Sequence, residues 1–223
     1  MPDAVNRESV PRVDGGRFGA LSWRTRCLGC GAAGVPGRDL CAACHARLPW
    51  LAPDSGACMS PLHATTAAFL YAPPLDRWLP RFKFHRDLAA GRLLSQLMLE
   101  VVGGVERPQA LLPIPLHHAR LRQRGYDQAL ELAKPLAAAL AIPLMPQLLQ
   151  RTRATAPQSE LDRADRHRNL RGAFAVRDEH ALPRHVVLVD DVMTTGSTLQ
   201  AAAAALRAAG VERVDAWVCA RVP

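Results

Sequence analysis

The sequence predicts an α/β fold, a parallel sheet flanked by helices, preceded by a small cysteine-rich module. Three observations predict it. Apolar runs of strand length alternate with amphipathic helical runs along most of the chain, which is the order of a parallel sheet. The segment Val186-Val187-Leu188-Val189 is wholly apolar and mostly β-branched, as a strand buried on both faces requires. Four cysteines stand in two C-x-x-C pairs ahead of the first strand. At 223 residues the chain has room for one medium domain plus such a module. The expected division is a loose polar tail over 1–22, the module over 23–62, and the main domain over 63–223.

In the module, Cys27-Leu28-Gly29-Cys30 and Cys41-Ala42-Ala43-Cys44 are separated by ten residues rich in glycine. Each knuckle places two thiolates on one tight turn, and two turns complete a tetrahedral zinc site. Cys27, Cys30, Cys41 and Cys44 are therefore the expected ligands of a structural Zn²⁺, since four cysteines leave no open coordination position. Disulfides are the rival pairing, and a cytoplasmic chain disfavours them. His45 and His63 are reserve ligands. Cys58 and Cys219 lack partners at knuckle spacing and read as ordinary thiols.

Beyond the module, Thr66–Tyr71 reads as a strand and Leu75–Phe84 as a helix with Leu75, Trp78, Leu79 and Phe82 on one side. A second helix runs through Leu88, Leu93, Leu97 and Val101. Ala110–Ile114 is an apolar strand closed by Pro113-Ile114-Pro115. The stretch His117–Gln128 then carries Arg120, Arg122 and Arg124 at alternate positions before Gly125, a pattern read as a loop that grips a polyanion. A helix over Gln128–Leu140 and a weak strand near Leu144 follow. Arg151–Gln158 is polar, basic and expected to be mobile, and a helix carrying Leu161, Arg163, Arg166 and Arg168 leads to Gly172-Ala173-Phe174. The buried strand at 186–189, a helix over Leu199–Ala209 and a last strand near Val214–Cys219 complete the domain.

The densest chemistry follows that buried strand. Asp190 and Asp191 stand at its end, and Thr194-Thr195-Gly196-Ser197-Thr198 opens directly into a helix. Backbone amides and hydroxyls at a helix N-terminus cradle phosphate, while carboxylates accept hydrogen bonds from ribose hydroxyls or hold a hydrated Mg²⁺. Two other readings compete. A strand ending in two acids occurs in P-loop ATPases, but the chain has no G-x-x-x-x-G-K-[ST], and its lysines are only Lys83 and Lys134. An ordinary βα turn with a hydroxyl cap explains one Ser or Thr, not four. In a parallel sheet, ligands sit at the carboxyl ends of strands. Both the Asp190 motif and the arginine stretch fall there, which points to a single site.

The formal charge is +8, carried almost entirely by arginine, which favours anionic ligands without choosing between a sugar phosphate and nucleic acid. Aromatic residues make up only 5%, so no base-stacking platform is evident. No apolar run reaches the length of a membrane span, and the N-terminus lacks the apolar core of a secretory signal. Membrane insertion is not expected, and the location expected is cytoplasmic.

The strand, acid pair and hydroxyl loop resemble the phosphoribosyl pyrophosphate (PRPP) motif of type I phosphoribosyltransferases. Nearly the whole chain resembles the ComF family of phosphoribosyltransferase-like proteins. The residues that carry this are the four knuckle cysteines, Lys83 in Arg81-Phe82-Lys83-Phe84, and Pro113-Ile114-Pro115 with Arg120, Arg122 and Arg124–Gln128. They continue through Arg151, Arg153, Thr155, Gln158, Arg166, Asn169, Gly172-Ala173-Phe174 and the PRPP loop. The resemblance implies a zinc ribbon followed by a type I phosphoribosyltransferase fold. It also implies Asp190 and Asp191 as the catalytic pair on the ribose hydroxyls, and Thr194, Thr195, Gly196, Ser197 and Thr198 on the 5′-phosphate. Arg120, Arg122, Arg124 and Gly125, with Mg²⁺, would take the pyrophosphate, and Lys83 is a candidate site lysine. Implied partners are PRPP, single-stranded DNA and DNA-uptake helicase proteins, in natural transformation; the alternative is a non-catalytic accessory with a regulatory or vestigial PRPP site. Two departures from the family pattern stand out. Asp127 replaces a usual Asn and adds negative charge beside the arginine stretch, and Ser55 and Cys58 take the place of a third C-x-x-C.

Overall fold

Val186, Val187, Leu188 and Val189 have no solvent exposure, and their side chains alternate between two cores. The computed structural model describes residues 25–52, 59–153, 172–177 and 182–223. Its main sheet holds β1 (Thr65–Leu70), β2 (Ala110–Pro113), β5 (His185–Met193) and β6 (Arg213–Arg221), all parallel, in the order β1-β6-β5-β2. A smaller antiparallel pair joins β3 (Leu149–Arg151) to β4 (Phe174–Val176).

Helices α2 (Leu75–His85), α3 (Leu88–Val102) and α5 (Gln128–Leu140) pack in one core with Val187, Val189 and Trp217. Their predicted apolar stripe is the buried one: Leu75, Trp78, Leu79 and Phe82 are all buried. Gly91 permits the close α2–α3 approach, because a Cβ there would run into the Phe82 ring. Ser95 ties α3 to α5 by donating to the Gly91 and Leu132 carbonyls at 3.0 and 3.3 Å. Helix α6 (Ser197–Ala208) covers the opposite face, in the core of Val186, Leu188, Val214, Ala216 and Val218.

The cysteine module, with its short helix α1 (Ala42–Ala46), is joined to this domain through β1. Leu51 N–H donates to the Ala68 carbonyl at 3.0 Å and Leu70 N–H to the Pro49 carbonyl at 2.9 Å. Trp50 stacks on Phe69 with ring centroids 4.6 Å apart. Leu40 and Leu48 lie in the same core as α3 and Phe69.

Two predicted elements differ. The weak strand near Leu144 is a single parallel bridge to Leu111, and the strand itself begins at Leu149. The arginine stretch is a helix, α4 (His118–Arg124), not a loop. His117 caps its start, its Nδ1 accepting from Ala119 N–H at 3.3 Å, and Gly125 closes its end at φ +81°. The 1–22 tail, Ser55, Cys58, Ala154–Gln158 and the helix placed at Leu161–Arg168 lie outside the described residues.

Candidate active site

Strand β5 continues past its apolar stretch, so Asp190 and Asp191 still lie within it, Asp190 opposite Val218. Side chains alternate along a strand, which sends these adjacent carboxylates to opposite faces. Asp190 lines a small cleft with Val192, Met193, Thr194, Gly196, Ser197 and Thr198. Asp191 faces α2, where its oxygens lie 3.0 and 3.4 Å from Lys83 Nζ. Each carboxylate also accepts a backbone N–H from the next residue at 2.8 Å, which holds both in place.

The electrostatics follow from crowding. Burial, and then the charge of Asp191, push the Asp190 carboxyl up to about 8. Burial works to lower the Lys83 ammonium, but Asp191 outweighs it and raises it. Gly196 sits at φ +73° as the N-cap of α6, and the Thr195 and Ser197 hydroxyls hydrogen-bond at 2.8 Å. The hydroxyl loop is thus tied to itself at the positive end of a helix.

Helix α4 follows β2, the strand beside β5, and brings its arginines to the same edge of the sheet. On a helix, residues four apart share a face and those two apart do not. Arg120 and Arg124 therefore lie together, while Arg122 points away and is exposed. Burial, and then Arg124, lower the Arg120 guanidinium; burial and Arg120 lower that of Arg151 on β3, which Asp190 opposes. His117 is lowered by burial and by His118, Arg151 and Arg120 around it. Positive charge is concentrated here, as a polyanion site requires.

Asp127 caps a helix beside the arginines, and its charge reaches Asp190. One oxygen accepts from Leu130 N–H at 3.1 Å as the N-cap of α5, and the other from Leu116 N–H at 3.0 Å. Beside it, Arg124 donates to Gln128 Oε1 at 2.8 Å. Lys83 and Arg151 enter the site from α2 and β3. Lys83 carried a sequence signal as one of two lysines in an arginine-rich chain, whereas nothing local separates Arg151 from its basic neighbours.

The four knuckle sulfurs, of Cys27, Cys30, Cys41 and Cys44, all lie within 4.8 Å of one another. The Cys30–Cys41 separation is 3.7 Å, close to the edge of about 3.8 Å that a tetrahedron of Zn–S bonds demands. Cys44 N–H donates to Cys41 Sγ at 3.4 Å, which fixes the second knuckle. Burial acts to raise Cys27, but the Cys41, Cys30 and Gly29 backbones prevail and lower it to about 6, while its neighbouring thiols push Cys44 up to about 12. The donor set fits a zinc ribbon. The reserve ligands are engaged elsewhere: His45 pairs with Glu100 at 2.9 Å and His63 with Asp215 at 3.3 Å.

Residues 127–223 match the family model described as the phosphoribosyl transferase domain, and with the sheet and its flanking helices this defines the class as phosphoribosyltransferase-like. Over 206 residues the chain is 34% identical to "Competence protein F" of Haemophilus influenzae, covering 87% of this chain and 90% of that protein. It is 34% identical over 212 residues to "DNA utilization protein YhgH" of Escherichia coli (strain K12), covering 87% and 89%. The protein of that name in Salmonella typhimurium is 33% identical over 214 residues, covering 91% and 88%. The chain belongs to the ComF family, that of competence protein F and its homologues.

Proposed function

We propose that this chain binds PRPP with Mg²⁺ and catalyses phosphoribosyl transfer. The observation that carries the reading is one strand edge holding a hydroxyl loop at a helix N-terminus, the Asp190 carboxyl, and converging cations from α2, α4 and β3. Thr194–Thr198 take the 5′-phosphate, and Asp190 accepts from the ribose hydroxyls. Arg120, Arg124 and Arg151 face the pyrophosphate, while Arg122 lies outside that grip. Breaking the bond from the anomeric carbon to pyrophosphate leaves positive charge on the sugar ring and negative charge on the leaving group. Preorganised charges of the opposite sign are therefore the main source of acceleration. When bound, Mg²⁺ would neutralise pyrophosphate charge, and Asp190 offers a hard oxygen ligand of the kind it prefers. The four clustered thiols suit the reducing cytoplasm, where we place the protein.

Calorimetric titration with PRPP, with and without Mg²⁺, tests the reading, ribose 5-phosphate serving as the control. Saturable, Mg²⁺-dependent binding that Asp190→Asn abolishes is expected; wild-type protein that ignores PRPP overturns it.

A second reading, handling of single-stranded DNA, draws on the net charge of +8 and on relatives named for competence and DNA utilization. Its signature is oligonucleotide binding that weakens steeply with added salt.

A further inference from the structure

Among the described residues the exposed large hydrophobics are Val35, Phe84, Leu88 and Leu121, and three of these four lie on α2, α3 and α4 beside the candidate active site. Scattered apolar residues are ordinary on a surface. Phe84 differs in three respects. Its ring is 63% exposed and thus contributes little to the core. It is the neighbour in sequence of Lys83, whose ammonium lies 3.0 Å from Asp191. The guanidinium carbon of Arg124 lies 5.3 Å from its ring centroid, which makes a cation–π pair of α2 and α4. Arg86 is tied to the same pair, its Nε donating to the Arg124 carbonyl at 3.2 Å. Leu121 is one helical turn before Arg124, and Arg122 stands on the outer side of α4.

We propose that Phe84 and Arg124 form a stacking platform that receives a base of single-stranded nucleic acid, its flanking phosphate held by Arg86. With the Arg124 guanidinium over its ring, exposed Phe84 offers a planar base one aromatic face, a contact that does not depend on base identity. The neighbouring cation selects the source of the base: a free base has no charge for Arg86 to meet, whereas a strand brings one phosphate per nucleotide. In a duplex both faces of each base are already stacked, so the platform takes single strands. The inference rests on the DNA-handling reading and assigns it a place.

Fluorescence anisotropy of end-labelled oligo(dT) of about twelve nucleotides, without PRPP, tests it, with a duplex of equal length and free thymidine as competitors. Phe84→Ala is expected to weaken oligonucleotide binding about tenfold, Phe84→Trp to restore it, and Phe84→Leu to fail. Arg86→Ala should lower the slope of log affinity against log salt by about one. Thermal melts of each variant verify the fold, which an exposed side chain barely supports. Strand binding indifferent to all three Phe84 variants overturns the platform and leaves the DNA reading standing. Absence of binding by the wild type at low salt overturns both. Competition by thymidine or duplex as strong as that by unlabelled strand overturns the choice of ligand.

Discussion

At Asp190 a carboxyl is held where charge is costly, which raises it to about 8 through burial and the Asp191 charge. An unfolded aspartate titrates near 3.9, so between about 4 and about 8 the folded chain retains a proton that the unfolded chain has released. Ligand-free stability should therefore fall as pH rises through that window and level off above it. In Asp190→Asn this slope should be absent, its melting temperature exceeding that of the wild type above pH 8 and converging with it toward pH 4. Lys83 poses the converse case. Lys83→Met leaves Asp191, whose side chain is only 8% exposed, beside Asp190 without its cation. Because the lysine is itself partly exposed, the expected loss is about 1–2 kcal/mol in urea unfolding, below that of a fully buried pair. Lys83→Arg should recover part of it. For Gly196→Ala, the new Cβ would lie 2.5 Å from Met59 Cε, the movable end of a flexible side chain, so the cost arises mainly from φ +73°. About 1 kcal/mol of stability should be lost, with a larger loss of PRPP affinity, since the hydroxyl loop turns on this residue.

Elements differ in how plainly the sequence declares them. The α2 stripe and the buried part of β5 were legible because their periodicity matches a single structure. The same holds for the knuckles, whose spacing places four sulfurs within 4.8 Å. Helix α4 was not legible, because alternate arginines also suit an extended loop, and its caps, His117 and Gly125, act through conformation. Nor could local patterning join Lys83 to Asp191, 108 positions later, or separate the faces of Asp190 and Asp191, since the apolar run ends before them. The cysteine module makes a prediction of its own. Near neutral pH Cys27 at about 6 is largely thiolate, whereas Cys44 at about 12 is protonated. Zinc binding must then expel the Cys44 proton, so affinity should rise with pH and the binding heat should vary with buffer ionisation enthalpy. Calorimetry in two buffers at one pH measures the released protons directly. A heat independent of buffer would exclude the four-thiolate site.

Considered as a whole, the molecule does not keep its cysteine module at arm's length. Strand β1 ends the order β1-β6-β5-β2, and an uncovered edge is a liability. The segment Pro49–Leu51 covers it with two backbone hydrogen bonds to β1 and the Trp50–Phe69 stack. Arg38 and His45 pair with Glu100 on α3 at 2.6 and 2.9 Å, and Leu40 is fully buried in the core shared with that helix. The preceding helix of that layer, α2, supplies Lys83 to the site. The cysteine module, the edge strand and the Lys83–Asp191 side of the candidate site thus share one packed face of the sheet. Removal of zinc by a chelator should accordingly lower the temperature of one cooperative unfolding transition, not release a separate early one. Truncation to residues 63–223 should yield a chain that aggregates, because it exposes the β1 edge together with the apolar surface beneath Leu40 and Leu48. Calorimetric scanning of the metal-loaded and stripped full chain distinguishes the cases. Two transitions, with the larger one untouched by chelation, would show that the module folds independently and that the β1 contacts contribute nothing to the domain.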